Sequence, residues 1–83
     1  MYQLLIEKQV QKQLEKIPMP DYQSVKTAIN NLAKNPRPSG YKKLKGRNSY
    51  RIRVSDYRII YNIFDTELVV DIIALGHRKD IYE

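Results

Sequence analysis

The sequence predicts one α+β domain over residues 1–83. An N-terminal strand and a helical hairpin pack on one face of a small, mostly antiparallel four-stranded sheet, in the order strand, helix, helix, strand, strand, strand. Three observations predict it: a helical apolar stripe in the first half, strict two-residue alternation in the second, and a proline- and glycine-rich break between them.

Tyr2 to Ile6 reads as the first strand. From Glu7 the apolar residues Val10, Leu14 and Ile17 recur at spacings of four and three among Lys, Gln and Glu. That is a narrow amphipathic helix. Pro18 and Pro20 interrupt it, because proline removes a backbone donor and clashes with the preceding turn. Pro20 also suits the first turn of a second helix, with Asp21 at the positive end of its dipole. Tyr22, Val25, Ala28, Ile29 and Leu32 carry that helix to about Lys34. Asn35-Pro36-Arg37-Pro38-Ser39-Gly40 ends it. The basic segment Tyr41 to Ser49 reads as a loop or an irregular sheet edge.

In the next run Tyr50, Ile52 and Val54 alternate with Arg51, Arg53 and Ser55. Alternation puts the arginines on one face and the apolar side chains on the other. Ser55-Asp56 suits a tight hairpin turn. The following strand is phased with Tyr57, Ile59, Tyr61 and Ile63 inward, and with Arg58, Ile60 and Asn62 outward. Antiparallel pairing then sets Arg51, Arg53 and Arg58 on one solvent-facing surface, where they need an anionic partner or much solvent. A turn near Asp65-Thr66 leads to a nearly all-apolar strand from about Glu67 to Leu75, the pattern of a covered central strand. Gly76 ends it, and His77, Arg78 and Tyr82 follow on a polar tail.

The formal net charge is +6, and between Tyr22 and Ser55 lie nine Lys or Arg and no Asp or Glu. Such a segment attracts polyanions. The chain has no cysteine and one histidine, so disulfides and thiolate metal sites are excluded and a zinc site is not expected. Carboxylates are few in the basic region, which argues against two-metal nuclease chemistry. No phosphate-cradling glycine loop or nucleophile-elbow serine is present. The N-terminus is too short and too soon charged for a signal peptide or a membrane span, so a cytoplasmic protein is expected. Arginine suits phosphate, since its planar fork keeps its charge and matches phosphate geometry. RNA brings its own nucleophile in the 2′-hydroxyl, so arginines and tyrosines suffice for a site without metal or cofactor.

Lys-Leu-Lys-Gly, Tyr-Arg-Ile-Arg-Val, Asp-Tyr-Arg-Ile-Ile-Tyr and Gly-His-Arg-Lys-Asp-Ile-Tyr occur in this order. Together with the helical hairpin they resemble the RelE/ParE superfamily of toxin–antitoxin toxins over essentially the whole chain, and the RelE branch more closely. That resemblance implies a ribosome-dependent endoribonuclease acting on mRNA in the A site of the 70S ribosome, and an antitoxin that covers the basic face. It also implies roles. Arg58 and Arg78 match arginines that stabilise the reacting phosphate, and Tyr82 matches a C-terminal tyrosine near the nucleophile. Arg51 and Arg53 match a pair that is lysine in the best-studied branch, and as arginines they act electrostatically. Lys43, Lys45, Arg47 and His77 are the expected RNA contacts, with His77 also a candidate acid or base. A ParE-like toxin that poisons DNA gyrase and cuts nothing is the alternative.

Overall fold

A computed structural model describes residues 1–79, and Tyr82 lies outside the described residues. The chain runs β1 (Gln3–Ile6), α1 (Lys8–Glu15), α2 (Asp21–Leu32), β2 (Lys42–Lys43), β3 (Tyr50–Val54), β4 (Tyr57–Phe64) and β5 (Val69–His77). The sheet has five strands where four are expected, in the order β1-β5-β4-β3-β2. The extra strand is Lys42–Lys43, which pairs antiparallel with Arg51 and Tyr50. Two residues show no period of their own, so only the partner strand defines them as sheet.

The hairpin β3–β4 turns at Ser55-Asp56, with Ser55 in the left-handed region at φ 54°. Its register places Arg53 opposite Arg58, Ile52 opposite Ile59 and Tyr50 opposite Tyr61. β4 then pairs antiparallel with β5. Ile60 pairs with Ala74 but Tyr61 with Ile72, so Ile73 is an extra residue in β5. This bulge lets both Ile72 and Leu75 face inward although they are three apart. β1 joins the far side of β5 in parallel, Leu4 beside Val70 and Ile6 beside Ile72.

Both helices cover one face, as their stripes require. Val10, Leu14 and Ile17 from the first, and Val25, Ile29 and Leu32 from the second, pack with Ile52, Ile59, Tyr61, Val70, Ile72 and Leu75 into one core. Tyr61 is fully buried and donates its hydroxyl to the Pro36 carbonyl at 2.7 Å, so its polar tip is satisfied inside. β5 starts at Val69 rather than Glu67, because residues 65–68 form the turn and Leu68 takes φ 57°. No helix among the described residues is long and apolar enough to cross a membrane.

A second cluster fastens the ends of the domain. Arg37 grips Asp65 with two bonds at 2.9 and 3.2 Å, and Tyr2 donates to the same carboxylate at 2.6 Å. The loop after α2, the β4–β5 turn and the residue before β1 therefore meet at one charge.

Candidate nucleic-acid interface

With both helices on one side, the other sheet face is left for function. Three of the arginines converge at one of its ends. Arg53 and Arg58 are cross-strand partners next to the hairpin turn, and two-residue alternation sends both to the outer face. Arg78 follows β5, and its backbone N–H donates to the Asp56 carbonyl at 2.7 Å. That bond pins the residue after β5 onto the turn. Arg53, Arg58 and Arg78 thus line one small cleft of about 90 Å³ together with Ser55, Asp56 and Tyr57. Three guanidiniums around such a volume make an electropositive seat for a single phosphate-sized anion.

Asp56 is the carboxylate that sequence reading treats as a turn former and as a candidate salt-bridge partner of Arg58; the structure pairs it with Arg78. Its Oδ1 lies 3.8 Å from Arg78 Nε, and both side chains are largely exposed. An exposed pair at that distance contributes little to stability. It gives Arg78 a partner that any anion entering the cleft would displace. The signal was present, since Asp56 sits between two arginine-bearing strands.

Arg51 differs from its expected placement. It points outward but is only 4 % exposed, not solvent-facing. Its cross-strand neighbours are Lys42 and Ile60, and Ile60 too is almost fully buried. Alternation assigns a face, but it does not say whether that face is covered. Arg51 is not among the residues lining the cleft.

His77 sits on the helix side. It pairs across the sheet with Tyr57, makes an edge-on ring contact with it at 5.6 Å, and borders a depression shared with Gln13, Lys16 and Ile17. Its Nδ1 accepts the Lys79 N–H at 3.2 Å, which leaves Nε2 to carry the proton of the neutral ring. The structure therefore does not bring His77 together with the three arginines. Lys43, Lys45 and Arg47 are exposed around a broad open depression that also includes Gly46 and Asn48. Among the described residues no group of three or more His, Asp or Glu is placed to hold a metal ion.

The far end of the same face is acidic. Asp71 lies beside Leu5 and Asn62 in the sheet, and burial first, then a hydrogen bond and the charge of Glu7, raise its pKa to about 6. Asp65 is the opposite case, lowered to about 2 by its hydrogen bonds from Arg37 and Tyr2. The two shifts oppose each other along the pH axis. Between the ordinary carboxylate value and about 6 the folded protein holds a proton on Asp71 that the unfolded chain releases. Stability therefore rises as pH falls from 7 through that window. Asp65 contributes stability above the ordinary value, and this is lost as pH falls toward 2. Thermal melts across pH are expected to peak at about pH 4–5, and Asp71→Asn to flatten the limb between that peak and neutrality. A melting temperature that only falls on acidification from pH 7 would contradict this assignment.

The family model described as the ParE toxin of type II toxin–antitoxin systems matches residues 4–82. Among solved structures, the archaeal RelE–RelB complex from Pyrococcus horikoshii OT3 contains a chain 31% identical to this one. The match covers 96% of this chain and 98% of that one, with a TM-score of 0.84. The isolated RelE toxin of E. coli is 26% identical over 93% of this chain and 84% of its own, TM-score 0.79. The RelB–RelE antitoxin–toxin complex from Methanococcus jannaschii gives 26% identity, 95% and 99% coverage, and a TM-score of 0.74. No curated protein sequence matches significantly.

Proposed function

The chain belongs to the RelE/ParE superfamily of type II toxin–antitoxin toxins and has a RelE-like structure, and from that premise we propose that it is a ribosome-dependent mRNA endoribonuclease. The observation that carries this reading is the convergence of Arg53, Arg58 and Arg78 on one cleft. Related RelE chains occur in complexes with RelB, and a cognate antitoxin is the expected partner here. The ribosome and A-site mRNA would be met in the cytoplasm.

The chemistry needs little from the protein beyond charge and position. The ribose 2′-oxygen attacks the adjacent phosphorus and forms the 2′-O–P bond as the P–O5′ bond breaks. The products are a 2′,3′-cyclic phosphate and a 5′-hydroxyl. Negative charge gathers on the non-bridging oxygens in the transition state, and pre-positioned guanidiniums stabilise it there at no reorganisation cost. The proton leaves the 2′-hydroxyl for a base, and the departing O5′ takes one from an acid. Tyr82 and groups of the ribosome are the candidates for those two transfers. His77 is a weaker one, since it lies on the far side of the sheet from the cleft. Arg51, Arg53, Arg58, Arg78 and Tyr82 remain the proposed site. Within it Arg51 is a positioning residue under the sheet surface and not a phosphate contact.

Purified protein added to translating ribosomes is expected to cut the message within the A-site codon and leave cyclic-phosphate ends. Intact mRNA on ribosomes of several species would remove the reading. The ParE family match favours a second reading, a gyrase poison that cuts nothing. Inhibition of gyrase supercoiling, with mRNA untouched, would establish that one instead.

A further inference from the structure

We propose, resting on the reading above, that the depression lined by Arg47, Asn48, Ser49, Tyr50, Asn62, Ile63 and Phe64 is a second RNA subsite, which holds one base of the message a few nucleotides from the cut. It has about 640 Å³, inside the range of sites that hold small organic ligands.

Its position on the face comes first. Asn62 and Phe64 share the parity of Arg58 on β4, so all three side chains leave the same face of the sheet. At about 3.3 Å per residue the depression begins roughly 13 Å from Arg58 and reaches Phe64 at roughly 20 Å. A single strand that reaches both places passes over the buried Arg51 and Ile60 that lie between them.

Its chemistry differs from that of the cleft. Phe64 is 45% exposed, a large apolar ring presented to solvent at a strand end. Nothing in the core requires it there. Ser49 is buried, 6% exposed, and donates its hydroxyl to Asn62 Oδ1 at 2.6 Å. That bond fixes the carboxamide through its oxygen, so the NH₂ group of Asn62, itself a lining residue, is left as a donor for a ligand. Arg47, exposed on the rim, supplies the positive charge. A flat ring, a fixed amide donor and one cation match a nucleotide: the ring stacks the base, the amide reads its edge, the cation holds its phosphate. Asp71, across the sheet from Asn62, makes this end less cationic than the cleft. The subsite therefore takes a base rather than a run of phosphates.

The test uses the full chain and 2′-O-methylated single-stranded RNA oligonucleotides, which cannot be cut. One set spans only the cleft, and a longer set carries a single abasic nucleotide at successive positions. The long oligonucleotide is expected to bind the wild type more tightly than the short one. An abasic site at one position away from the cut is expected to weaken it about tenfold. Phe64→Ala is expected to lose the same factor on the intact long oligonucleotide and nothing further on the abasic one. Short-oligonucleotide binding stays unchanged. Asn62→Asp keeps the Ser49 bond and removes the donor, and it is expected to weaken only the long oligonucleotide. Arg58→Ala/Arg78→Ala is expected to weaken both lengths while keeping the abasic effect. A flat abasic scan with tight wild-type binding overturns the subsite and leaves the nuclease reading standing. Failure of the wild type to bind free RNA of any length also overturns the subsite, while the nuclease reading stands or falls on the ribosome assay above. If Phe64→Ala weakens the antitoxin and leaves RNA binding intact, the face belongs to the protein partner and the proposal is wrong.

Discussion

Replacing Arg58 and Arg78 together by alanine is expected to lower single-turnover mRNA cleavage by about a thousandfold. Removing one pre-positioned donor from a developing oxyanion costs roughly 10²–10³ in rate. Groups that clasp one phosphate act as a unit, so the double loss falls short of the product. Stability is expected to move little by comparison. Arg78 is exposed and its contact with Asp56 is long, so what stability is lost comes from Arg58, which is half-buried opposite Gly76. Arg58→Lys tests geometry separately from charge. It keeps the charge but loses the planar fork, so only part of the activity is expected to return. Cleavage by the double alanine variant within tenfold of wild type would mean that the cleft is not where the reaction occurs.

Arg51 and Arg53, adjacent on one strand face, are expected to part company. Arg51→Ala removes a guanidinium that is 4 % exposed, together with the apolar stem that packs beside Ile60. Whatever buried groups it satisfies are then left in low dielectric, a change that costs about 3 kcal/mol. A domain of this length has a total stability on the order of 4–12 kcal/mol, so the urea midpoint is expected to drop sharply. Arg53→Ala, at an exposed position, is expected to stay within about 0.5 kcal/mol of wild type and to lose at least tenfold in cleavage. Equal stability for the two variants would mean that Arg51 is not held as the structure shows it.

Much of this molecule is legible from residue order, because short-range periods carry it. The alternation from Tyr50 to Val54 gives the hairpin face. The recurrence of Val10, Leu14 and Ile17 gives the helix stripe. Phasing Tyr57, Ile59, Tyr61 and Ile63 inward agrees with the core they join. What stays hidden depends on partners distant in sequence. The strand Lys42–Lys43 exists only against Arg51 and Tyr50. The extra residue Ile73 is visible only in the register between β4 and β5. The burial of Arg51 needs a covered outer face, and a period of two contains no information on cover. The position of Asp56 beside Arg78 depends on one backbone bond between the turn and the residue after β5. His77 and Arg78 are neighbours in sequence, but β5 ends at His77 and Arg78 is drawn to the hairpin turn by its bond to the Asp56 carbonyl.

The parallel seat of β1 against β5 has a consequence for how the protein is made. β1 has no partner until β5 has been made, so the sheet closes only after β5 is in place. Arg78 is delivered with that same late strand and reaches the hairpin turn only through it. A nascent chain thus holds Arg53 and Arg58 together in a local hairpin, and Arg78 joins them only once β5 is placed. Such long-range closure is slow compared with local helix formation. The interval before closure is a window in which a partner protein can engage the chain while the arginine cleft is still incomplete.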